Sequence, residues 1–187
     1  MAGDHGVPHV RLGLAWAVVV IAAAVVGPVA LAIPMLAAAG LAASELVRVG
    51  RPRGIAAVVA AAASPVVVEL QTGRVATVVM LLAVCLYDAA VFIVGTGARN
   101  RWEGPAAGVL ALLPFTVIVA SVLQPPFGGG SGWVLGGLTL ALAPLGASLA
   151  TRLAGGGQGR YPGLRRLDTL LLVGPAWMIG VALLKVG

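Results

Sequence analysis

The sequence predicts an all-α fold, a polytopic bundle of about seven transmembrane helices with a cytoplasmic N-terminus. Three observations lead there. Hydrophobic residues make up 60% of the chain and charged residues 10%, with a mean hydropathy of +1.05. Soluble domains carry about 25% charged residues, so a water-soluble fold of this size could not hide its apolar surface. The apolar residues also come in runs of bilayer length, with the basic residues in the short breaks between them. The alternation of a transmembrane barrel is absent, which leaves helices as the spanning element.

Taken in order, residues 1–11 form a short polar tail on the cytoplasmic side, and 12–187 form one transmembrane domain. The apolar stretch from Leu12 to Val47 would reach about 54 Å as a single helix, against roughly 30 Å of hydrocarbon. Gly27-Pro28 is the natural break, because proline lacks the N–H and restricts the residue before it. The expected spans are therefore about 12–27, 29–47, 54–70, 75–95, 104–123, 133–153 and 168–186. No cleaved signal peptide is expected, since the first apolar stretch runs on without a soluble domain behind it.

The net charge is +6, and almost all of it is arginine in the loops. Sorting alternate loops to alternate sides puts ten of the twelve basic residues together: Arg11, Arg48, Arg51, Arg53, Arg99, Arg101, Arg152, Arg160, Arg165 and Arg166. Only Arg74 and Lys185 fall on the other side. The positive-inside rule makes the arginine-rich side cytoplasmic, where these groups meet lipid headgroups rather than nucleic acid. Little lysine and much Ala, Gly, Val and Arg suit a bacterial plasma membrane.

Several residue types exclude chemistry. Cys85 is the single cysteine and lies in an apolar run, so it forms no intrachain disulfide and reads as a small buried hydrophobe. The only histidines, His5 and His9, are in the tail, which leaves Ser-His-Asp hydrolysis without its base. Gly104-Pro-Ala-Ala-Gly108 and Leu135-Gly-Gly-Leu138 are read as sites where helix backbones approach closely. Gly128–Gly130 and Gly155–Gly157 are read as loops, and the second lacks the Lys-Ser/Thr ending of a phosphate-binding P-loop.

The six acids are more informative. Asp4 is in the tail and Glu69 is at the outer end of span 3. Glu45, Asp88, Glu103 and Asp168 lie at or near the cytoplasmic side. Asp88 is about 10 Å inside its helix end, where a carboxylate costs about 3 kcal/mol and rarely faces lipid. It reads either as a metal or proton site or as a structural partner of a cytoplasmic arginine. Glu45 and Glu103 are interfacial, where charge is cheap, and Asp168 suits a helix N-terminus. Together, acids beside an arginine-rich face could hold a divalent cation and a phosphate-bearing ligand.

Tyr87-Asp-Ala-Ala-Val-Phe-Ile-Val-Gly95 resembles the N-D-T-A-A-Y-F-V-G segment of the CDP-diacylglycerol synthase (phosphatidate cytidylyltransferase) family. Arg99-Asn-Arg-Trp-Glu-Gly104 resembles that family's S-P-K-K-T-W-E-G loop. Pro162-Gly163 followed by Arg165-Arg-Leu-Asp-Thr169 resembles P-G-H-G-G-x-x-D-R-x-D-S, and Glu45 falls where the family often has a Glu. The ordered set covers roughly residues 40–187. The resemblance implies a short, divergent member of a family of membrane enzymes that use Mg²⁺ to transfer a cytidylyl group from CTP to phosphatidate. It implies Asp88 and Asp168 as catalytic, metal-binding acids. It implies substrate-binding roles for Arg99, Arg101, Trp102, Glu103, Gly104, Arg165 and Arg166.

The departures are specific. The family's G-D-L reads Gly146-Ala147-Ser148, so that Asp is missing; the following S-x-x-K-R keeps only Thr151 in place of the Ser; and the H-G-G insert is gone. The first signature Asp is Arg165, and the second Lys of S-P-K-K-T is Asn100. Arginine binds phosphate but does not replace lysine group for group. Two functions are therefore expected in competition. One is a compact cytidylyltransferase acting on phosphatidate or another lipid phosphate. The other is a non-catalytic membrane subunit or lipid-binding pseudoenzyme that partners another membrane enzyme, as a homo- or hetero-oligomer. A transporter is the third choice, since no matching pair of broken spans is evident.

Overall fold

The structure, a computed structural model, describes residues 7–96, 98–100, 102–155 and 161–186, the first five as backbone only. Arg101 and Arg160 lie outside the described residues, as do residues 1–6 of the tail. The described chain is helical throughout. Its helices are α1 (Val7–Val26), α2 (Pro28–Arg48), α3 (Ile55–Thr72), α4 (Arg74–Gly95), α5 (Glu103–Val122), α6 (Ser131–Ala154), α7 (Pro162–Leu167) and α8 (Leu170–Leu184). Single 3₁₀ turns at Pro52–Gly54 and Gly128–Gly130 lead into α3 and α6. Among these residues, six helical segments are long and apolar enough to cross a membrane: Pro28–Arg48, Pro52–Thr72, Arg74–Gly95, Glu103–Val122, Gly128–Ala154 and Pro162–Leu184. The apolar part of α1, Leu12–Val26, is shorter.

The helix ends follow from local chemistry. Gly27 separates α1 from α2 with φ +144°, a conformation that L side chains rarely adopt, and Pro28 then opens α2 as its first residue. Gly73, with φ +82°, divides α3 from α4 in the same way. Prolines inside the helices (Pro34, Pro65, Pro114, Pro144 and Pro175) do not end them. Long apolar helices tolerate internal proline where neighbouring groups satisfy the freed carbonyls. One polar group does approach such a proline: the Thr77 hydroxyl on α4 lies 3.4 Å from the Pro65 carbonyl of α3.

The packing pairs form a closed ring, α1–α2–α3–α8–α6–α5–α4 and back to α1, crossed by contact between α3 and α4. Most consecutive helices are joined by short turns. Small residues let the neighbours approach, as expected of apolar helices that gain little from hydrophobic burial against one another. Gly108 of α5 lies against the Tyr87 ring of α4, Gly136 of α6 against Thr116 of α5, and Gly174 of α8 against Ser64 of α3. A Cβ at any of these would collide with its neighbour. Gly137, by contrast, faces open space.

The outside is as apolar as the inside. Val29, Leu36, Ile93, Val122 and Leu183 are among many large aliphatic side chains left exposed around the bundle. A belt of this kind is what a lipid-facing surface requires, and a water-soluble monomer rarely carries one.

The bundle has two unlike ends. One gathers the C-terminal ends of α2, α4 and α6, the start of α3 and α5, and α7. Arg48, Arg51, Arg53, Arg99, Arg152, Arg165 and Arg166 are all on these segments. The other end holds Arg74, whose guanidinium reaches toward the Val26 carbonyl that closes α1. At that end Phe127 folds back into the bundle and meets Trp177 of α8 edge to face, with centroids 6.1 Å apart. The Trp177 indole N–H donates to the Thr139 hydroxyl at 2.7 Å, which in turn donates to the Leu135 carbonyl.

Candidate functional site

The site begins with α4. Its last two turns carry Asp88 and Phe92, and the sequence continues this apolar helix to Gly95, so Asp88 is held well inside the bundle. Its partner comes from the joint between α7 and α8. The Thr169 hydroxyl donates to Asp88 Oδ1 at 2.5 Å, linking segments 81 residues apart. The Thr169 backbone N–H donates to Asp168 Oδ1 at 2.8 Å. Thr169 thus touches both acids, one through its hydroxyl and one through its amide.

Three features fix that joint. On one flank, Gly146 of α6 lies against the Asp168 carbonyl and Thr169 Cα with no room for a Cβ, so backbone meets backbone. On the other, Arg165 sits one turn before Asp168 and places its guanidinium 5.8 Å from the Phe92 ring centroid. Beneath, α7 is bound to α2 by a buried carboxylate. Glu45 Oε1 accepts the Gly163 N–H and Oε2 accepts the Leu164 N–H, both at 2.9 Å. These are amides at a helix start, which have no partner within their own helix. Gly163 allows the contact, since a Cβ there would strike the backbone of Leu41 and Ala42.

Asp88, Asp168 and Arg165 thus lie about one joint, linked through Thr169 and Phe92. Arg166 points elsewhere, with its guanidinium 5.0 Å from the centroid of Trp16 on α1. The Trp-Glu-Gly turn lies at the same end, above the last turn of α4. Glu103 Oε2 accepts the Arg99 N–H at 3.2 Å and Oε1 the Asn100 N–H at 3.0 Å, while Asn100 Oδ1 accepts the Trp102 N–H at 3.3 Å. The Glu103 carboxylate is thus committed to the backbone of its own turn. Gly104 packs on the Val91 carbonyl and on Gly95, which seats the turn on α4. Trp102 is 62% exposed at the rim. Arg101 lies outside the described residues.

Span 7, expected to begin at residue 168, begins earlier: Pro162–Leu184 is one apolar segment, in which Asp168 and Thr169, both helical in conformation, join α7 to α8. The Asp168 carboxylate binds the next amide in the chain rather than capping a free helix start. One residue of the site was not singled out from sequence: Thr169, although a hydroxyl directly after an acid is a local cue. The sequence marks Glu45 as an interfacial acid at a family position, but not its partners, which are 118 and 119 residues away.

Among the described residues no group of three or more His, Cys, Asp or Glu side chains lies close enough to hold a metal. The Asp88–Asp168 pair offers two carboxylates. That is a sufficient protein donor set for Mg²⁺ where substrate phosphates and water complete the octahedron, and an insufficient one for an all-protein cage. The arrangement can offer two carboxylates, a hydroxyl and a guanidinium to a phosphate-bearing ligand. Compared with protein-family models, with curated proteins and with solved structures, the chain matches nothing.

Proposed function

We propose that this is a multi-pass protein of a bacterial plasma membrane, with about seven spans and with its N-terminus and arginine-rich end in the cytoplasm. We propose further that it handles a lipid phosphate at the inner leaflet, in the manner of the phosphatidate cytidylyltransferases that its motifs resemble. The observation that carries this reading is the Asp88–Thr169–Asp168 link, with Arg165 beside it. An acid inside an apolar helix is expensive and marks function more often than not. Here it meets a second acid from the segment that the resemblance pairs with it.

In the reaction, an oxygen of the lipid phosphate attacks the α-phosphorus of CTP. The new P–O bond forms as the α–β bridge breaks, and pyrophosphate leaves with the electron pair. Asp88 and Asp168 would hold Mg²⁺, which when bound neutralises triphosphate charge. Arg165 stabilises charge on the phosphoryl oxygens, Arg99 does so from the rim, and the resemblance gives Arg101 the same role. Trp102, Glu103 and Gly104 shape the turn that carries them. Arg166, seated on Trp16, anchors α7 and with it Arg165.

One set of contacts favours the second reading, a non-catalytic subunit or lipid-binding pseudoenzyme that partners another membrane enzyme. Glu45 and Glu103 are taken up by backbone amides, and Asp88 Oδ1 by a hydroxyl. One experiment separates the two. Purified protein in mixed micelles is incubated with labelled CTP, Mg²⁺ and phosphatidate. Metal-dependent pyrophosphate release, lost in Asp88→Asn and in Asp168→Asn with membrane insertion intact, supports the enzyme. Absence of turnover, with a second membrane enzyme co-purifying, supports the subunit.

A further inference from the structure

A second basic site at the arginine-rich end shares no residue with the acid pair. Between the α2–α3 turn and the end of α6 lies an open cavity of about 510 Å³, lined by Gly50, Arg51, Pro52, Arg53, Gly54, Arg152 and Leu153. Three of these seven residues are arginines, and no carboxylate is among them.

The cavity is built rather than incidental. Arg51 Nη1 donates to the Arg152 carbonyl at 2.7 Å, across 101 residues of chain. That carbonyl belongs to the last turn of α6, where backbone acceptors lack helical partners and a cation suits the dipole. The Arg51 guanidinium also lies flat against Gly155, where a Cβ would come within 3.0 Å of Cζ. Gly155 has φ +76°, so the conformation and the contact both call for glycine. The Arg51 backbone is fixed in turn: its N–H donates to Leu46 O at 2.9 Å, and its carbonyl accepts the Gly54 N–H. A guanidinium carries five N–H donors in a planar fork, and the bond to Arg152 uses one of them. Arg53 and Arg152 are exposed on either side, and Pro52 and Leu153 supply an apolar edge.

We infer that this cavity binds a phosphate group, and that the Arg51 fork, Arg53 and Arg152 prefer a phosphomonoester dianion to a zwitterionic headgroup. The apolar edge and the position at the ends of α2, α3 and α6 suit a lipid headgroup, and a free phosphate offers the same chemistry.

The full chain in neutral detergent is titrated calorimetrically with dihexanoyl phosphatidate, dihexanoyl phosphatidylcholine and inorganic phosphate. Phosphatidate binds, and Arg53→Gln and Arg152→Gln each weaken it about fivefold. Both variants keep the wild-type melting temperature, because neither side chain makes the Arg51 bond. Arg74→Gln, at the far end, leaves binding unchanged, and the titration omits CTP and Mg²⁺, which keeps this outcome distinct from the cytidylyl-transfer assay. Displacement of the lipid by inorganic phosphate identifies free phosphate as a ligand too, and its failure identifies the lipid alone; either supports the site. Equal affinity for phosphatidylcholine and phosphatidate overturns it. So does a loss in Arg74→Gln as large as in Arg53→Gln.

Discussion

At the arginine-rich end, Glu45, Asp88 and Glu103 each accept hydrogen bonds from other residues, and two of the three reach a distant helix to do so. At the opposite end, Glu69 is equally buried, at 7% exposure like Glu45, yet its Oε2 has no hydrogen-bond partner. That end is joined by aromatic packing, Phe127 on Trp177, by an indole–hydroxyl bond, and by Arg74 reaching toward the Val26 carbonyl. The contrast separates two ways of fixing helices in an apolar medium. Close packing alone sets which helices touch. Buried acceptors set the depth and rotation at which they touch, because a carboxylate with two lone-pair directions tolerates little sliding. The arginine-rich end is the end that uses the second device.

Four substitutions probe this difference, read as loss of thermal stability in detergent. Gly146→Leu should cost the most, about 3 kcal/mol, by driving α6 off the α7–α8 joint; Gly137→Leu, facing open space, should change little and serves as its control. Glu45→Gln follows at about 2 kcal/mol, since an amide nitrogen would face one of the two buried N–H groups it now accepts. Thr169→Val should cost about 1 kcal/mol through the lost hydroxyl bond, and Thr169→Ser should restore it. Glu69→Gln should be smallest, under about 0.5 kcal/mol, because no bond to Oε2 is lost. If Glu69→Gln proves as harmful as Glu45→Gln, the two ends do not differ in the way described. Near-wild-type stability for Thr169→Val would confine the polar device to α2 and α7.

Much of the fold was legible because hydropathy and turn residues speak locally. The expected spans 29–47, 75–95 and 104–123 end within a residue or two of α2, α4 and α5. Pro28 broke the chain and Pro34 did not, and the difference is visible: Gly27 precedes the first, while an apolar run surrounds the second. The close-packing role of Gly104 and Gly108 was also readable from their spacing. For Leu135-Gly-Gly-Leu138 only Gly136 makes the contact, and nothing in the pair itself says which of the two faces α5. The six-residue helix α7 was missed because it is short and charged, although Pro162 at its first position is a recognisable start. Asp88 and Asp168 stood out as acids near apolar helices. What those acids bind was not legible, because Thr169 and Asp88 are paired only by the ring closure that brings α8 beside α3 and α6.

The bond between Asp88 and Thr169 also bears on biogenesis. Ribosomes make α4 well before α8, so Asp88 must leave the translocon without the hydroxyl that later satisfies it. Until then the carboxylate raises the insertion free energy of its helix by about 3 kcal/mol, and Arg165, which also comes later, cannot offset it. Stable seating of the fourth helix would thereby depend on the segment that follows α6, and a chain ending before Arg165 would leave the Asp88 carboxylate without the Thr169 hydroxyl.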